Sequence, residues 1–459
     1  MSSPVYQTVI VGGGFTGLFT ALHLSHQHYP RSVILIDASD RFCFKPLLYE
    51  YFSSEMDAMQ VLPRFQELLQ GSGVIFVQDT VQSIDLQNKQ VKLSSGDCYN
   101  YSNLVLAVGS VTGYFGVKGA KEYALPFVSQ KDAIGIDRHL HYCLRQAIQT
   151  EDEKIRRQWL TIAVVGGGPA GVEMAATLAD LLPNWYAAMN GHSEEVRVVL
   201  INHGNEILKG DINSHLRATA QQELQKRAVP VEMCLGAEVT TVSPNAVEYK
   251  RDGKVETLPA YTTIWTAGNA THPLLQNLAI PDTHKDKGGR LQVKSTLQLL
   301  DYPEVFAGGD CTVLEDAPLP PTAQVAYQQG AAIAHNLKAI AFGHELQPAQ
   351  VNIRGTLLKL GLTDAAANIY NLFEVNGNVG HLIRQGTYLE LLPTPVHNFK
   401  ATAEWLNEEI FHHYLNPTDS SKTAVRAVEL AGGAIVGVLV ARKLLHILGD
   451  HEQKNKAGV

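Results

Sequence analysis

The sequence predicts an α/β protein that contains two similar units, each built on a parallel sheet. The spacing GxGxxG follows a β-branched run within residues 8–17, and it follows a second such run within residues 161–171. Each copy precedes a helical pattern and then another strand-like run, at residues 33–36 and 196–201. Because parallel strands need long crossover connections, usually helices, this alternation indicates two doubly wound α/β domains.

Composition and charge limit the kind of protein. The 459 residues are enough for two or three domains, and 37 basic against 45 acidic residues give a net charge of −8. This balance argues against nucleic acid as a partner. The five cysteines show no CxxC spacing, which indicates a reduced, intracellular protein without a metal site. The first residues run directly into a strand, and we expect no signal or transit peptide.

The first glycine motif has the features of a dinucleotide site. Gly12 allows a tight turn, Gly14 lets the backbone approach a pyrophosphate, and Gly17 allows close helix–strand packing. The N-terminus of the following helix offers free N–H groups to the phosphates. Asp37, directly after strand 33–36, can accept hydrogen bonds from a ribose. The alternative is an ordinary glycine-rich strand–helix turn.

The segment after Asp37 is predicted to be irregular and then to form a small sheet. Residues 41–50 include Pro46, which disfavours helix at the preceding residue, and we expect a loop there. A small antiparallel sheet is predicted from strands at residues 74–77, 81–84 and 90–93. Residues 101–109 form an apolar strand that we expect to return to the first sheet, beside the dinucleotide.

The second glycine motif lacks the acidic residue. Gly166, Gly168 and Gly171 keep the spacing, but Asn202 stands after strand 196–201 where Asp or Glu would hold a ribose 2′-hydroxyl. Because an amide carries no charge to repel a 2′-phosphate, the sequence predicts that NADPH is accepted. The alternative is a site that still uses NADH.

The second unit repeats the order of the first. After a predicted polar helical connector at residues 131–158 and the second glycine motif, small strands follow at residues 238–242 and 246–249. An apolar strand at residues 263–269 then runs through a glycine, as residues 101–109 do. Two such units predict two dinucleotides, one tightly bound and one exchanging.

Two late segments carry candidate polar groups. Residues 305–310 form a strand that ends in Asp310, which can hydrogen-bond a flavin ribityl chain or simply cap a turn. Gln324 and Gln328 lie four apart, on one face of a helix that follows the prolines at 318–321. From the pattern alone, these glutamines face solvent.

The C-terminal region has a different character. Residues 425–448 include an uncharged run of twelve residues, 430–441, whereas a membrane-spanning helix needs about twenty. The run suits a helix in the membrane interface, with Arg442 and Lys443 near the headgroups. The alternative is a buried helix of a soluble protein.

Together these motifs resemble the two-dinucleotide flavoproteins and, over nearly the whole chain, the type II NAD(P)H:quinone oxidoreductases. The resemblance is carried by residues 12–17, 46–49, 166–173, 265–268, 305–310 and 323–330. The last segment resembles the quinone-site motif of the family. The chain is most similar to the cyanobacterial and plastid branch, which acts on plastoquinone and demethylphylloquinone, and Asn202 agrees with the use of NADPH in that branch.

The resemblance implies two Rossmann-like dinucleotide-binding domains and a C-terminal membrane-associating region. Residues 1–120 and 290–345 would bind FAD, residues 121–289 would bind NAD(P)H, and residues 346–459 would carry an amphipathic anchoring helix. It further implies a homodimer, peripheral on the cytoplasmic face of the cytoplasmic or thylakoid membrane, that does not pump protons.

The resemblance also assigns roles to residues. A hydride passes from the nicotinamide to FAD, and two electrons pass on to a membrane quinone. Glu173 would place the nicotinamide or relay a proton, or else only favour its helix N-terminus; Gln324 and Gln328 would line the quinone pocket. The implied cofactor-binding residues are Gly12, Gly14, Phe15, Thr16, Gly17, Asp37, Pro46, Val81, Ala107, Gly109, Gly166, Gly168, Gly171, Asn202, Gly268, Gly309, Asp310 and Gln324.

Three other functions compete with this one. A disulfide reductase needs a cysteine pair beside the flavin, and Cys43 stands alone there. A sulfide:quinone oxidoreductase, the main alternative, needs at least two flanking cysteines, which Cys143, Cys234 and Cys311 do not obviously supply. A non-catalytic protein with structural FAD would not need the second glycine motif or the glutamine motif.

Overall fold

Two five-stranded parallel sheets form the centre of the molecule. The computed structural model describes residues 7–26, 29–210, 212–315, 318–369 and 373–393. The first sheet has the strand order Val305–Ala307, Asn103–Leu106, Gln7–Val11, Ser32–Asp37 and Ile75–Gln78. The second has the order Glu232–Leu235, Arg197–Asn202, Thr161–Val165, Thr262–Trp265 and Leu125–Pro126. Each glycine motif therefore follows the central strand of its sheet.

Small antiparallel sheets accompany the two parallel ones. The first consists of Val81–Asp85, Gln90–Leu93 and Cys98–Asn100, and the second of Glu238–Ser243, Ala246–Arg251 and Lys254–Pro259. Strand Ser110–Thr112 pairs antiparallel with Asn269–Thr271, which joins the two units directly. A short parallel pair, Leu291–Val293 with Thr312–Leu314, lies in the late part of the chain.

Helices connect and cover these sheets. The longest are Phe15–His26, Gln130–Gln149, Pro169–Ala188, Ser214–Gln225, Ala323–Phe342 and Gly377–Glu390. Shorter ones are Leu48–Phe52, Ala58–Val61, Phe65–Leu68, Ala120–Tyr123, Glu153–Trp159 and Pro273–Gln276. Central strand residues such as Val9, Ile10 and Ile162 are almost completely buried, as expected for parallel strands covered on both faces.

Two sequence-based predictions of the early chain need correction. The strand predicted at residues 74–77 is Ile75–Gln78, and it pairs parallel with Ser32–Asp37 at the edge of the first sheet, not in the small antiparallel sheet. Residues 41–50, predicted to be a loop, contain a short 3-10 turn at Lys45–Leu47 and the start of helix Leu48–Phe52. Proline is tolerated in a first turn, where its missing N–H would be unpaired anyway.

The predicted polar connector at residues 131–158 is two helices, of which the first has a buried face. The chain leaves the first helix at Thr150, and Asp152 caps the second by accepting hydrogen bonds from Lys154 and Ile155 N–H. The apolar residues Ile136, Leu140 and Leu144 of the first helix are buried. One face of the first helix is therefore part of the core, because its apolar residues recur at helical spacing.

A third antiparallel sheet follows the last sequence motif. Its strands are Gly355–Lys359, Ala365–Ile369 and Phe373–Val375, and helix Gly377–Glu390 packs against them. Among the described residues, no helix is long and apolar enough to cross a bilayer. The helix predicted at residues 425–448 lies outside the described residues.

Candidate functional site

The first glycine turn has no room for side chains at two of its three positions. A Cβ atom on Gly12, whose φ is +98°, would lie 2.4 Å from the Ala107 carbonyl oxygen, and one on Gly17 would lie 1.8 Å from the Gly12 oxygen. At Gly14, by contrast, no atom of the described residues lies within 4 Å of that position. The backbone at Gly14 therefore faces open space at the start of helix Phe15–His26.

Asp37 supports this turn from the neighbouring strand. Gly13 N–H donates to its Oδ2 atom at 2.5 Å, and Ser39 N–H donates to Oδ1 at 2.8 Å. Burial raises the pKa of Asp37, and these two hydrogen bonds oppose the rise. The carboxylate thus lies at the glycine turn, where a ribose hydroxyl would meet it.

The second glycine turn repeats this geometry. A Cβ atom on Gly171 would lie 1.7 Å from the Gly166 oxygen, while no atom of the described chain lies within 4 Å of that position on Gly168. Gly167 N–H donates to Asn202 Oδ1 at 3.0 Å, as Gly13 does to Asp37. Two open glycine positions at two helix N-termini fit the phosphates of two dinucleotides.

Asn202 does more than replace an acid. Its Nδ2 atom donates to the Gly204 oxygen at 3.0 Å and to the Glu206 oxygen at 2.8 Å. A carboxylate could not donate these hydrogen bonds. The amide therefore shapes the loop that follows the strand, and it adds no negative charge there.

The late strand brings further predicted residues to the first turn. A Cβ atom on Gly309 would lie 2.8 Å from Thr16 Oγ1, and Thr16 Oγ1 donates to the Ala326 oxygen at 3.0 Å. Ser110 Oγ donates to Asp310 Oδ2 at 3.1 Å. The carboxyl end of the first sheet therefore brings Thr16 together with Gly309 and Asp310 from the late strand. The hydrogen bond from Thr16 to Ala326 spans 310 residues of sequence.

The other predicted cofactor residues are more spread out. Phe15 contacts the rings of Phe42 and Phe44 at centroid distances of 5.1 and 5.2 Å. Val81 begins the small antiparallel sheet, opposite Leu93. Three further positions are Ala107 beside Gly12, Gly109 with a φ of +64°, and Gly268, where a Cβ atom would lie 2.0 Å from the Phe115 ring.

The two predicted glutamines bond to backbone. Gln324 Nε2 donates to the Gly355 oxygen at 2.8 Å, and its Oε1 accepts from Arg354 N–H at 2.9 Å. Gln328 likewise bonds both backbone groups of Asn352, at 3.1 and 2.9 Å. The two side chains are half-buried, and beyond the expected exposure to solvent their amides hold residues 352–355 against their helix. Their proposed contact with a quinone must coexist with these bonds.

A cluster of buried charges lies between the two units and was not predicted. Glu50, Lys359 and Arg384 are completely buried, and Glu173 is only 8% exposed. Lys359 Nζ contacts Glu50 at 3.3 Å and Glu55 at 2.7 Å, while Lys359 N–H donates to Glu173 Oε1 at 2.8 Å. Glu173 lies in the second turn of its helix, which begins at Pro169, and not in the first turn, where the alternative role at the helix N-terminus would place it.

Ionisation in this cluster follows from its charge balance. Three carboxyl groups, those of Glu50, Glu55 and Glu173, face two cations, so full ionisation would leave one excess negative charge. Burial alone would raise the pKa of Glu50, but Arg384 and Lys359 outweigh it and lower that pKa to about 2. Burial raises the pKa of Glu173 to about 7, against the opposing effect of Arg384. Glu173 is therefore a group that can hold a proton near neutral pH.

The sequence does contain a signal for this cluster. Lys359 interrupts the apolar run Leu357–Leu362, and Arg384 lies among the apolar residues of helix Gly377–Glu390. A charged residue within an apolar strand or helix indicates a buried partner. The partner itself could not be identified, because Glu173 and Lys359 are 186 residues apart.

Comparison with known proteins gives one family and several relatives. Residues 6–330 match the family model described as pyridine nucleotide-disulphide oxidoreductase. The chain is 34% identical to a demethylphylloquinone reductase of Synechocystis sp., over 87% of this chain and 96% of that protein. It is 30% identical to an Arabidopsis thaliana alternative NAD(P)H-ubiquinone oxidoreductase, over 86% and 79%. Its fold is similar to that of NDH2 from Plasmodium falciparum in complex with NADH, with a TM-score of 0.79, 18% identity, and coverage of 88% and 98%.

Proposed function

This chain belongs to the type II NAD(P)H:quinone oxidoreductases, within the pyridine nucleotide-disulphide oxidoreductase family, and we propose that it reduces a membrane quinone with NADPH. It is a flavoprotein oxidoreductase that uses FAD and NAD(P)H. The proposed quinone is plastoquinone or, as in the Synechocystis relative, demethylphylloquinone on the route to phylloquinone. Bound FAD would supply acceptance of a hydride and release of two electrons.

The observation that supports this function most strongly is the pair of equivalent glycine turns, one in each of two units that contact one another. Gly12, Gly14 and Gly17 would hold FAD, and Gly166, Gly168 and Gly171 would hold the pyridine nucleotide. The Tyr49 hydroxyl donates to the Ala170 carbonyl oxygen at 3.0 Å, which joins the first unit to the start of the second unit's helix. Such an arrangement keeps two bound dinucleotides in a fixed relation, as direct hydride transfer requires.

Glu173 is the proposed proton-holding residue. Reduction of a quinone by NAD(P)H consumes one proton from outside the hydride, because NAD(P)H, H⁺ and quinone give NAD(P)⁺ and quinol. Its buried carboxyl group, with a pKa of about 7, can hold and release that proton near neutral pH. Its Oε1 atom is fixed by Lys359 N–H at 2.8 Å.

The preference for NADPH is proposed from Asn202. Its amide leaves the ribose end of the second site without the side-chain charge that Asp37 has in the first. A 2′-phosphate would therefore meet less repulsion there. This preference and the quinone roles of Gln324 and Gln328 remain proposals.

We also propose peripheral attachment to the cytoplasmic face of the membrane through the helix that the sequence predicts at residues 425–448, and a homodimeric protein. The domain bounds predicted above and the lack of proton pumping belong to the same proposal. Acidification of one side of sealed vesicles during turnover would contradict the last point.

One experiment tests the function as a whole. The purified holoprotein is mixed anaerobically with NADPH or NADH, and its flavin absorbance is followed before and after a soluble naphthoquinone is added. We expect bleaching, faster with NADPH, and then quinone-dependent recovery of the absorbance. Absence of bleaching with either nucleotide would overturn the proposal.

The same experiment with sulfide tests the main alternative. Burial raises the pKa of Cys43 to about 11 and that of Cys311 to about 12, so neither thiol is a thiolate at neutral pH. Since the thiolate is the reactive form, these cysteines do not favour sulfide chemistry. Bleaching by sulfide but not by nucleotides would favour the sulfide:quinone oxidoreductase.

A further inference from the structure

Arg384 is a fully buried cation to which the proposed reaction gives no role. It lies on helix Gly377–Glu390, in the part of the chain that follows both dinucleotide units. Its guanidinium group pairs with Glu50, which is also fully buried, and the two are 334 residues apart. One cation from the late chain therefore reaches the junction between the two units.

The contacts of Arg384 are with parts of the proposed reaction centre. Nη2 donates to the Pro46 carbonyl oxygen at 2.7 Å and lies 3.6 Å from Glu173 Oε1. The guanidinium carbon lies 5.0 Å from the centre of the Tyr388 ring. Pro46 belongs to the proposed FAD site and Glu173 is the proposed proton-holding group. Arg384 thus bonds the backbone of one and faces the carboxyl group of the other.

A buried ion pair such as Arg384–Glu50 adds little to the stability of a protein. Replacing a buried ion pair by apolar residues of similar volume is often neutral or stabilising, because both charges lose their hydration. Here the pairing is also incomplete, since Arg384 Nε and Glu50 Oε2 are buried without hydrogen-bond partners among the described residues. A contribution to stability therefore does not by itself explain a buried arginine at this position.

We propose that Arg384 is a positioning residue for the reaction, holding the Pro46 backbone and the Glu173 carboxyl group in one fixed arrangement. The proposal rests on the proposed function through the roles of Glu173 and Pro46. Arg384 acts as the counter-ion of Glu173, and it shares its charge between that group and Glu50. Removing Arg384 would favour protonated Glu173, and removing the charge of Glu50 would have the opposite effect.

The other groups around Glu173 have to be kept in view. Helix Leu48–Phe52 presents Tyr49 and Glu50 to it, and Glu55 follows that helix. Strand Gly355–Lys359 presents Lys359, which Glu55 already pairs at 2.7 Å. Helix Gly377–Glu390 presents Arg384 itself and Tyr388 to Glu173, and its His381 interacts with Lys359, Glu50 and Arg384 of the same cluster. Without Arg384, Lys359 would be the one cation of the described cluster, facing three carboxyl groups.

The test uses two variants with opposite expected effects. The pH dependence of NADPH:quinone turnover is measured between about pH 5 and about pH 9 for the holoprotein, Arg384→Met and Glu50→Gln. We expect activity to fall with rising pH as Glu173 loses its proton. In Arg384→Met the midpoint should move to higher pH by about one unit or more, and in Glu50→Gln it should move to lower pH.

A second readout does not depend on turnover. The infrared C=O band of the protonated carboxyl, assigned by its loss in Glu173→Gln, is titrated in the resting protein without nucleotide or quinone. The same opposite shifts of the midpoint are expected for Arg384→Met and Glu50→Gln. Arg384→Lys keeps the positive charge, so its midpoint should lie near that of the natural protein. It loses the contact with the Pro46 carbonyl oxygen, so its kcat should still be lowered. If Arg384→Met does not fold, Glu50→Gln and Arg384→Lys still carry the test.

Arg227→Met is the matched control. Arg227 is also a buried arginine, 8% exposed, but its carboxylate partners are Asp180, Asp364 and Glu223. We expect no shift of either titration in this variant. Equal shifts in both arginine variants, or no shift in any Glu50 or Arg384 variant, would overturn the proposal. The predicted infrared shifts in a protein that never reduces quinone would instead overturn the proposed function alone.

Discussion

At the scale of single residues, the last glycine of each motif leaves the least room for a side chain. A side chain on Gly17 or Gly171 would press on the carbonyl oxygen of Gly12 or Gly166, at 1.8 and 1.7 Å. Neither backbone can give way without opening the turn between strand and helix. A glycine-to-alanine substitution should therefore impair FAD binding in the first turn and nucleotide binding in the second.

We expect Gly17→Ala to purify with little FAD, because its Cβ atom would open the first turn. Gly171→Ala should keep its yellow flavin but raise the KM for NADPH on the order of tenfold or more. Flavin content and steady-state kinetics measure the two effects. The control is Gly135→Ala, on helix Gln130–Gln149, where the added Cβ atom would meet no neighbouring group of the described residues within 4 Å. This variant should change neither the flavin content nor the KM for NADPH. Equal flavin loss in both turn variants would contradict the separate assignment of the two sites.

Asn202 gives a second prediction at this scale. Asn202→Asp keeps an acceptor for Gly167 N–H but loses the donor to the Gly204 and Glu206 oxygens, and it adds a negative charge. We expect the ratio of kcat/KM for NADPH to that for NADH to fall on the order of tenfold. Asn205→Asp, an exposed change in the same loop, is the control for charge alone. An unchanged ratio in Asn202→Asp would remove Asn202 as the basis of nucleotide preference.

At the scale of elements, Arg227 fastens the C-terminal sheet to the second unit. Its guanidinium group bonds Asp180 of helix Pro169–Ala188 at 3.0 Å and Asp364, just before strand Ala365–Ile369, at 2.9 Å. We expect Arg227→Met to lower the free energy of unfolding by about 3 kcal/mol, because it leaves carboxylates without their counter-ion. Urea unfolding measures this. Arg197→Met, which breaks the more exposed pair with Glu232, should cost less than about 1 kcal/mol.

Elements also show where prediction from sequence succeeds. Residues 8–17 and 161–171 were predicted as strand and glycine turn because the signal is local, a β-branched run followed by fixed glycine spacing. Strand Ile75–Gln78 has no such signal for its partner. It is equally apolar whether it joins the first sheet or the small antiparallel one, and only the tertiary pairing with Ser32–Asp37 decides.

The candidate site divides in the same way. Asp37 and Asn202 were found from their distance to a glycine motif. In the structure they accept hydrogen bonds from Gly13 and Gly167, each of which lies between the first two glycines of its motif. Glu50, Lys359 and Arg384 come from three separate segments with no common spacing. Their meeting depends on how the elements pack, which one sequence does not encode in any local pattern.

At the scale of the whole molecule, the buried cluster should govern stability in acid. Burial, helped by Lys359, lowers the pKa of His381 from 6.5 to about 4, so the folded protein favours the neutral ring. That contribution is present above pH 6.5 and is lost as the pH falls toward 4. The pKa of Glu50, lowered from 4.5 to about 2, adds a second loss below pH 4.5. Glu173, whose pKa is raised to about 7, has the opposite sign and loses its contribution as the pH rises from 4.5.

We expect the free energy of unfolding to decrease less between pH 6.5 and pH 4 in His381→Leu than in the natural protein, because no buried imidazole then has to take up a proton. Denaturant unfolding at a series of pH values measures the slope. His192→Leu is the control, since that ring is largely exposed. An unchanged slope in His381→Leu would mean that another group accounts for the acid sensitivity.

The late origin of Lys359 and Arg384 has a consequence for how the protein is made. On the ribosome, both glycine turns and all three acids of the cluster emerge before either cation does. A chain interrupted before residue 355 would hold Glu50, Glu55 and Glu173 without their counter-ions. Because burying unpaired carboxylates is costly, such a chain could not exclude water from the junction between the units. Synthesis therefore delivers the two glycine turns and the three acids first, and the two cations that face those acids later. We therefore expect a chain that ends before Lys359 to lack the contacts through which this later segment links Glu50 of the first unit to Glu173 of the second.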